Sequence, residues 1–382
     1  MHGRASCVGE SLCSVSLPIP AEEDMFKQPD IYRLLQDSAL RDSRLRPTLF
    51  ETSGQLRAGT AWASEFQPCP SLFFYYIVDL SMTAQAVLNK VFSIEGVREG
   101  TSEMEYRLQK YGLRLDRWLS KLPANYQFTV ADGGPWLVDR VKLDESAFYC
   151  RERVCLALNY YSARVTLCRP CLSQAHTSPL GVSPAATQEM TSRAKRRTNM
   201  GSDCLQAACS LISILPESVD VTWLARIAPF WSILHFLMQA TTALLLGISS
   251  RSFAPPPKPA HKRSSFNQPP SPAGPSTANP PSPTLHYPPL LNTDLNTAIA
   301  QSKKALIWIH AMASIDASSR RAFHICDKVI RQIAPGLGID LQDWPRKETL
   351  AEPEAEVDGS EMRMDAFDDL IDPDGGFPAR TF

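Results

Sequence analysis

The sequence has no excess of charge of one sign. Among its 382 residues, 39 Lys or Arg nearly balance 40 Asp or Glu, which gives a formal net charge of -1 at pH 7. A phosphate backbone is held chiefly by Lys and Arg side chains that displace its counterions. The chain therefore lacks the overall basic character of a nucleic-acid-binding protein, and we expect any contact with DNA to be indirect.

The motifs of the common catalytic sites are also missing. The chain contains no Gly-x-Ser-x-Gly nucleophile elbow, no Gly-rich phosphate loop and no His-Glu-x-x-His zinc helix. Paired acids such as Asp368 and Asp369 lie in a polar tail in which nothing would hold a reacting geometry. We therefore predict no catalytic residue, no cofactor site and no enzymatic activity.

The ten cysteines do not form a recognisable disulfide or metal framework. They are spread along the chain, and residues 1–25 lack the apolar segment of a secretory signal peptide, so we expect reduced, intracellular thiols. Cys168-Arg-Pro-Cys171 has the spacing of a redox or zinc half-site. However, it follows a predicted helix, whereas a redox pair needs a strand that leads into a helix N-terminus. We predict no bound metal.

Apolar residues recur at helical spacing along most of the chain, which predicts an all-α bundle of about seven helices. No alternating run rises above this pattern, although Tyr126–Val130 and Trp136–Val141 could form short strands or turns. The first helix is predicted to start near Ser71. The others are predicted at Ser102–Lys121, Asp144–Leu167, Leu205–Leu215, Ala228–Gly247, Asp294–Met312 and Ser318–Ala334.

Proline and charge divide the chain into segments. Pro and Ser dominate one internal stretch that has little to bury, and the C-terminal stretch is acidic, so both are expected to be disordered. Phe367, Leu370 and Ile371 alternate with carboxylates in the tail, which either contacts coactivators or only solubilises the chain. The predicted segments are a loosely ordered arm at 1–66, a helical domain at 67–250, an insertion at 251–290, closing helices of the same domain at 291–345 and the tail at 346–382.

One stretch is apolar enough to require a membrane test. Residues 227–250 contain no Asp, Glu, Lys or Arg, and about 20 mostly apolar residues can span a bilayer. His235 and Gln239 interrupt the stretch, and Pro229 suits the start of a helix. We favour a buried core helix and no membrane contact. A membrane-associated protein is kept as an alternative.

A short basic cluster lies between two predicted helices. It consists of Arg193, Lys195, Arg196 and Arg197, and we predict that it lies in a loop. Such clusters suit a nuclear-import receptor or phosphate groups. A solvated loop without a specific partner is the alternative.

Two blocks carry the signature of a known family. In Tyr160–Leu172, an aromatic-led helix ends in a Leu-x-Arg-Pro-x-Leu motif formed by Leu167, Arg169, Pro170 and Leu172, with Cys168 where the family usually has His. In Leu115–Pro123, a helix closes on Leu-Pro; its matching residues are Trp118, Leu122 and Pro123.

Three further blocks follow in the order that the family shows. They are Cys204–Ala208, Pro229–Leu246 and Ala305–Ile333. Over residues 67–345, the chain thus resembles the regulatory, or middle homology, region of fungal zinc-cluster transcription factors. Their zinc cluster uses six closely spaced cysteines that begin with Cys-x-x-Cys-x6-Cys, and this sequence does not contain that pattern.

The resemblance implies a nuclear transcription regulator that acts through protein contacts. Its expected partners are the transcription machinery, a related regulator in a dimer and an apolar small-molecule effector, while DNA is reached only through a partner or a missing domain. The chain is either a truncated product or a regulator without DNA-binding equipment. Arg169 is expected to cap carbonyls or to pair with a buried acid. The alternative from another class is a helical-bundle enzyme acting on an apolar substrate.

Overall fold

The computed structural model describes residues 17–51, 66–93, 96, 98, 100–131, 133–144, 146–172, 184–249 and 295–346. These residues form α-helices joined by turns, so the predicted all-α fold is confirmed. The helices are α1 (Pro29–Gln36), α2 (Ser38–Arg44), α3 (Pro70–Val91), α4 (Thr101–Lys121), α5 (Cys150–Cys168), α6 (Pro184–Ser213), α7 (Val221–Ile227), α8 (Phe230–Ser249), α9 (Leu295–Ala313) and α10 (Ala317–Leu337).

Seven long helices correspond to the seven that apolar periodicity predicts, but the third begins later than predicted. Helix α5 starts at Cys150 rather than at Asp144 because Tyr149 has a left-handed backbone, with φ of 60°. The Asp144 carboxylate accepts hydrogen bonds from the backbone N–H and the hydroxyl of Ser146, which holds a turn instead. Before this turn, Thr129 and Val138 form an isolated antiparallel bridge.

The fourth long helix begins much earlier than its apolar residues indicate. Helix α6 starts at Pro184, where proline suits the first helical turn, rather than at Leu205. Its first turns are polar and present no apolar stripe, so periodicity could not reveal them. The prediction that Arg193–Arg197 lies in a loop is therefore wrong, since all four basic residues of the cluster lie on α6.

Helix α5 lies at the centre of the bundle. The predicted stripe of Val154, Leu158, Tyr161 and Val165 is at most 1% exposed, and Leu156 on another side of the helix is also fully buried. Helices α3, α4, α6 and α8 all pack against α5. Buried residues on more than one side are expected of a helix that lies between several others.

Helix α8 contains the stretch that required a membrane test. By length and composition, α3 and α8 could each cross a membrane, but 50% and 56% of their apolar windows are buried inside the protein. Helix α8 packs against α5, α6, α9 and α10. This packing is that of a core helix in a bundle.

The predicted closing helices α9 and α10 contact the other helices directly. Both pack against α8 and against each other, and α9 also contacts α6. The Pro- and Ser-rich insertion at 251–290 and the acidic tail beyond its first residue lie outside the described residues.

Residues 17–51, which are part of the arm predicted at 1–66, are joined to α3 and α4 by a buried polar cluster. The backbone N–H and the hydroxyl of Thr48 donate to the two carboxylate oxygens of Asp79, at 2.7 and 2.6 Å. The Lys121 ammonium donates to Thr48 Oγ1 at 2.9 Å and to Glu51 Oε1 at 2.6 Å. Burial raises the pKa of Asp79, and the Lys121 charge and the Thr48 hydrogen bonds oppose this shift.

Gly247 allows α8 to approach α6 closely. A Cβ atom at this position would lie 2.6 Å from Cδ2 and 3.1 Å from Cδ1 of Leu205, a side chain that is 1% exposed. By contrast, a Cβ atom at Gly336 near the end of α10 would meet no atom within 4 Å. The two glycines therefore provide a matched pair for testing helix packing.

The substitution Gly247→Ala should lower the free energy of unfolding by about 1–3 kcal/mol, because the added methyl group overpacks the α6–α8 contact. The control Gly336→Ala should be neutral or should raise it by up to about 1 kcal/mol, because alanine favours helix. Urea unfolding followed by far-UV circular dichroism measures both. Equal effects of the two changes would contradict the close contact.

Candidate functional site at the junction of helices α4, α5 and α6

Trp118 joins three helices at the place where the family-motif blocks meet. Its ring stacks on Tyr160 of α5, with the centroids 5.8 Å apart and the planes 16° from parallel. Its indole N–H donates to the Tyr76 carbonyl of α3 at 3.1 Å, and the side chain is fully buried. The tryptophan of the Leu-Pro block thus fixes α4 against both neighbours.

The other apolar motif residues mark the ends of α4 and α5. Leu122 and Pro123 are buried where α4 ends, and the Pro123 carbonyl accepts from the N–H of Tyr126 at 2.8 Å. Leu167 is fully buried in the last turn of α5, and Leu172 is 7% exposed beside Gly201 of α6. Pro170 is half-buried within the 3-10 turn Arg169–Cys171 that follows α5.

Arg169 occupies a different environment from the one that the resemblance implies. Its side chain is exposed, and its guanidinium lies over the Phe92 ring, 5.4 Å from the centroid. The buried arginine of this region is Arg164, which is 4% exposed. Sequence reasoning missed it, although one signal was available: Arg164 is the single charged residue between Arg153 and Arg169 in an otherwise uncharged stretch.

Four neighbours surround the Arg164 guanidinium. It lies over the rings of Trp136 and Tyr160, 5.4 Å from each centroid, and its Nε donates to the Tyr160 hydroxyl at 3.1 Å. It also forms an ion pair with Asp116 of α4. Burial raises the pKa of Asp203 on α6, and the nearby charge of Arg164 opposes that shift. A guanidinium stays protonated even when buried, so its neighbours must compensate a permanent charge.

Three thiols lie near this junction. Cys168, Cys171 and Cys204 are free, and the Cys204 thiol donates to the Val165 carbonyl at 3.6 Å. Burial raises the pKa of Cys171 to about 11 and raises the pKa of Cys168 and of Cys204 further. A reactive cysteine needs a lowered pKa, so this environment opposes redox chemistry at Cys168 and Cys171. Within the described ranges, no three His, Cys, Asp or Glu side chains are grouped so that they could hold a metal ion.

The basic cluster on α6 is tied to α4 through one acid. Arg197 Nε lies 2.9 Å from Glu105 Oε1, and an Arg196 nitrogen lies 3.5 Å from Glu105 Oε2. The Glu105 side chain is only 10% exposed, whereas Lys195 and Arg196 are exposed. The cluster therefore holds α6 against α4 and also presents positive charge to solvent.

A surface cavity of about 690 Å³ lies away from this junction, beside the N-terminal segment. Glu22, Glu23 and Asp24 line it, and the Glu22 carboxylate accepts a hydrogen bond from the Ser71 N–H at 3.1 Å. Carboxylates in a cavity wall disfavour an apolar ligand, because the ligand would displace their hydrating water without offering a hydrogen bond in return. Ile19, Ala21 and Phe26 line the rest of the wall, so the cavity combines acidic and apolar surface.

Comparison with known proteins gives a significant match to a curated protein. Over 355 residues, the chain is 41% identical to a protein named transcription regulator galc from Aspergillus niger. The chain is homologous to a fungal transcription regulator. The match covers 90% of this chain but only 39% of the relative, so the chain spans less than half of the length of the curated protein that it matches. No protein-family profile and no solved structure matches the sequence significantly.

The name of this relative describes the broad class that the motif blocks imply. The name states no enzymatic activity for that protein.

The two motif-region arginines should differ sharply in their effect on stability. Arg164→Met should lower the free energy of unfolding by about 3 kcal/mol or more, because the half-buried acids around it lose their counterion. Arg169→Ala should cost about 1 kcal/mol or less, since it removes one exposed cation–π contact. Urea unfolding of both variants tests this order. A larger effect at Arg169 would contradict the structural role of Arg164.

The thiols at the junction should resist alkylation at neutral pH. A rise in the pKa of Cys171 from 9.0 to about 11 lowers its thiolate fraction. This decrease is about 100-fold, and burial slows access further. Iodoacetamide labelling with peptide mass spectrometry should show Cys168, Cys171 and Cys204 protected in the folded protein and labelled in urea, with the rate at Cys171 rising as pH increases. Rapid labelling of Cys171 in the folded protein at neutral pH would indicate an activated thiol.

Proposed function

We propose that this chain is the helical regulatory region of a fungal transcription regulator of the zinc-cluster family and that it acts through protein contacts. The observation that carries the proposal is the 41% identity to a named transcription regulator over 90% of the chain. The matching blocks Leu115–Pro123 and Tyr160–Leu172 meet at one buried junction, which supports a shared core. In this proposal, the helical bundle is a scaffold, and its surface binds the partner proteins.

DNA contact is proposed to come from a partner or from a domain outside this sequence. With a net charge of -1, the chain has no overall field that would attract a phosphate backbone. A related regulator bound in a dimer could supply the DNA-binding part. A truncated zinc-cluster activator and a stand-alone modulator both agree with these properties.

The nucleus is the compartment that this function requires. The cluster of Arg193, Lys195, Arg196 and Arg197 is the candidate import signal, and its exposed members Lys195 and Arg196 are accessible to a receptor. The acidic tail is the candidate contact with the transcription machinery, because its carboxylates keep Phe367, Leu370 and Ile371 available in water.

A tethering experiment tests the regulatory role. Fused to an unrelated DNA-binding domain in a fungal host, the full chain should change the output of a reporter with intermediate basal expression. Replacing Phe367, Leu370 and Ile371 by Ala should remove most of an activating effect, because the apolar contacts to a coactivator are lost. Trp231→Ala serves as the control, since Trp231 is 75% exposed on α8 and far along the chain from the tail.

Two outcomes would contradict the proposal. The first is a reporter output equal to that of the DNA-binding domain alone, measured with the fusion protein present in the nucleus. The second is recovery of a fluorescently tagged chain in membranes that resist a carbonate wash, which would favour the membrane-associated alternative.

A further inference from the structure

The outward side of α4 presents apolar side chains to solvent. Tyr106 is 57% exposed and Leu113 is 54% exposed. They are seven residues apart, so they lie on the same side of the helix and are separated by about 10 Å along its axis. Gln109 is exposed between them. Single exposed apolar residues are common, but two in line over two helical turns make a strip that a partner can cover.

Positive charge is concentrated around this strip. Helices α4 and α6 together carry nine Lys or Arg and five Asp or Glu, although the whole chain has a net charge of -1. Three of the five acids are already paired within the protein, and Asp116 is one of them, through Arg164 of α5. Glu103 binds Arg107, and Glu105 binds Arg196 and Arg197. This part of the surface therefore has an excess of cations.

Cations lie close to the Tyr106 end of the apolar strip. The Lys110 ammonium is 5.7 Å from the centroid of the Tyr106 ring. Glu105, the neighbour of Tyr106 in the chain, pairs with Arg196 of α6, so Arg196 lies near this end of the strip. Lys195, the residue before Arg196, is also exposed. We call the set Tyr106, Gln109, Lys110, Leu113, Lys195 and Arg196 the α4–α6 surface.

We propose that the α4–α6 surface binds an acidic amphipathic helix of a partner protein. Apolar side chains of that helix would cover Tyr106 and Leu113, while its carboxylates would lie near Lys110, Lys195 and Arg196. Duplex DNA would use the cations but would leave the apolar strip uncovered, so the strip favours a protein partner. The inference rests on the proposed function only in that the chain acts through protein contacts.

Fluorescence anisotropy of a labelled synthetic peptide tests the surface directly. The peptide carries Leu at positions i, i+3 and i+7 of a helix and Glu at most of the others, and the protein is the full chain. Binding should occur and should weaken as salt is added. A peptide with Gln in place of every Glu should bind at least about tenfold more weakly, because the charge attraction is lost.

Surface variants identify the residues involved. The pair Tyr106→Ser and Leu113→Ser should weaken binding at least about tenfold, and so should the pair Lys110→Glu and Lys195→Glu. Ile325→Ser is the matched control on α10, where Ile325 is 57% exposed, and it should leave binding unchanged. All five positions are at least partly exposed, and unchanged circular dichroism should verify that each variant is folded.

Two results would overturn the inference. One is equal binding of the acidic peptide by the wild type and by both surface variants. The other is tighter binding of a labelled DNA duplex with no effect of the Tyr106 and Leu113 changes, which would assign the surface to nucleic acid. The reporter assay is independent of this peptide, so a regulator that activates normally but fails here retains its proposed function and loses only this surface.

Discussion

The permanent charge of Arg164 inside the bundle is the constraint on which the surrounding helices depend. A buried guanidinium is tolerated only when hydrogen bonds and opposite charges replace its water. Here Asp116 belongs to α4, Tyr160 to α5 itself and Asp203 to α6. Trp136 lies in the segment between α4 and α5. A shift of any one of these elements would remove a partner, so the charge fixes their register as well as their contact.

Buried polar contacts also lie just after the C-terminal end of α6. Arg140 and the buried Lys304 both donate to the Leu215 carbonyl, and Lys304 also pairs with Glu217. Cations at this position compensate the negative end of a helix dipole. Because Lys304 belongs to α9, the closing helix is attached to α6 by a polar contact in addition to apolar packing.

Periodicity predicted the seven long helices because each of them has apolar residues at helical spacing against the core. It could not predict the first turns of α6, whose polar residues give no stripe, or the short helix α7. The candidate site was predicted only in part. Trp118 and Leu167 are buried, whereas Arg169 lies over the Phe92 ring and the buried arginine is Arg164. Which arginine becomes buried depends on contacts with Asp116 and Trp136, and these are distant along the chain.

The bond between Thr48 and Asp79 also bears on how the chain can be divided for laboratory work. Composition places the start of the helical region at residue 67, but a fragment cut there would lose Thr48 and Glu51. Asp79 and Lys121 would then remain buried without the hydrogen bonds that Thr48 and Glu51 form with them. Such a fragment would expose a polar gap on α3 and α4, so a recombinant version that begins before residue 48 is the better choice for crystallisation.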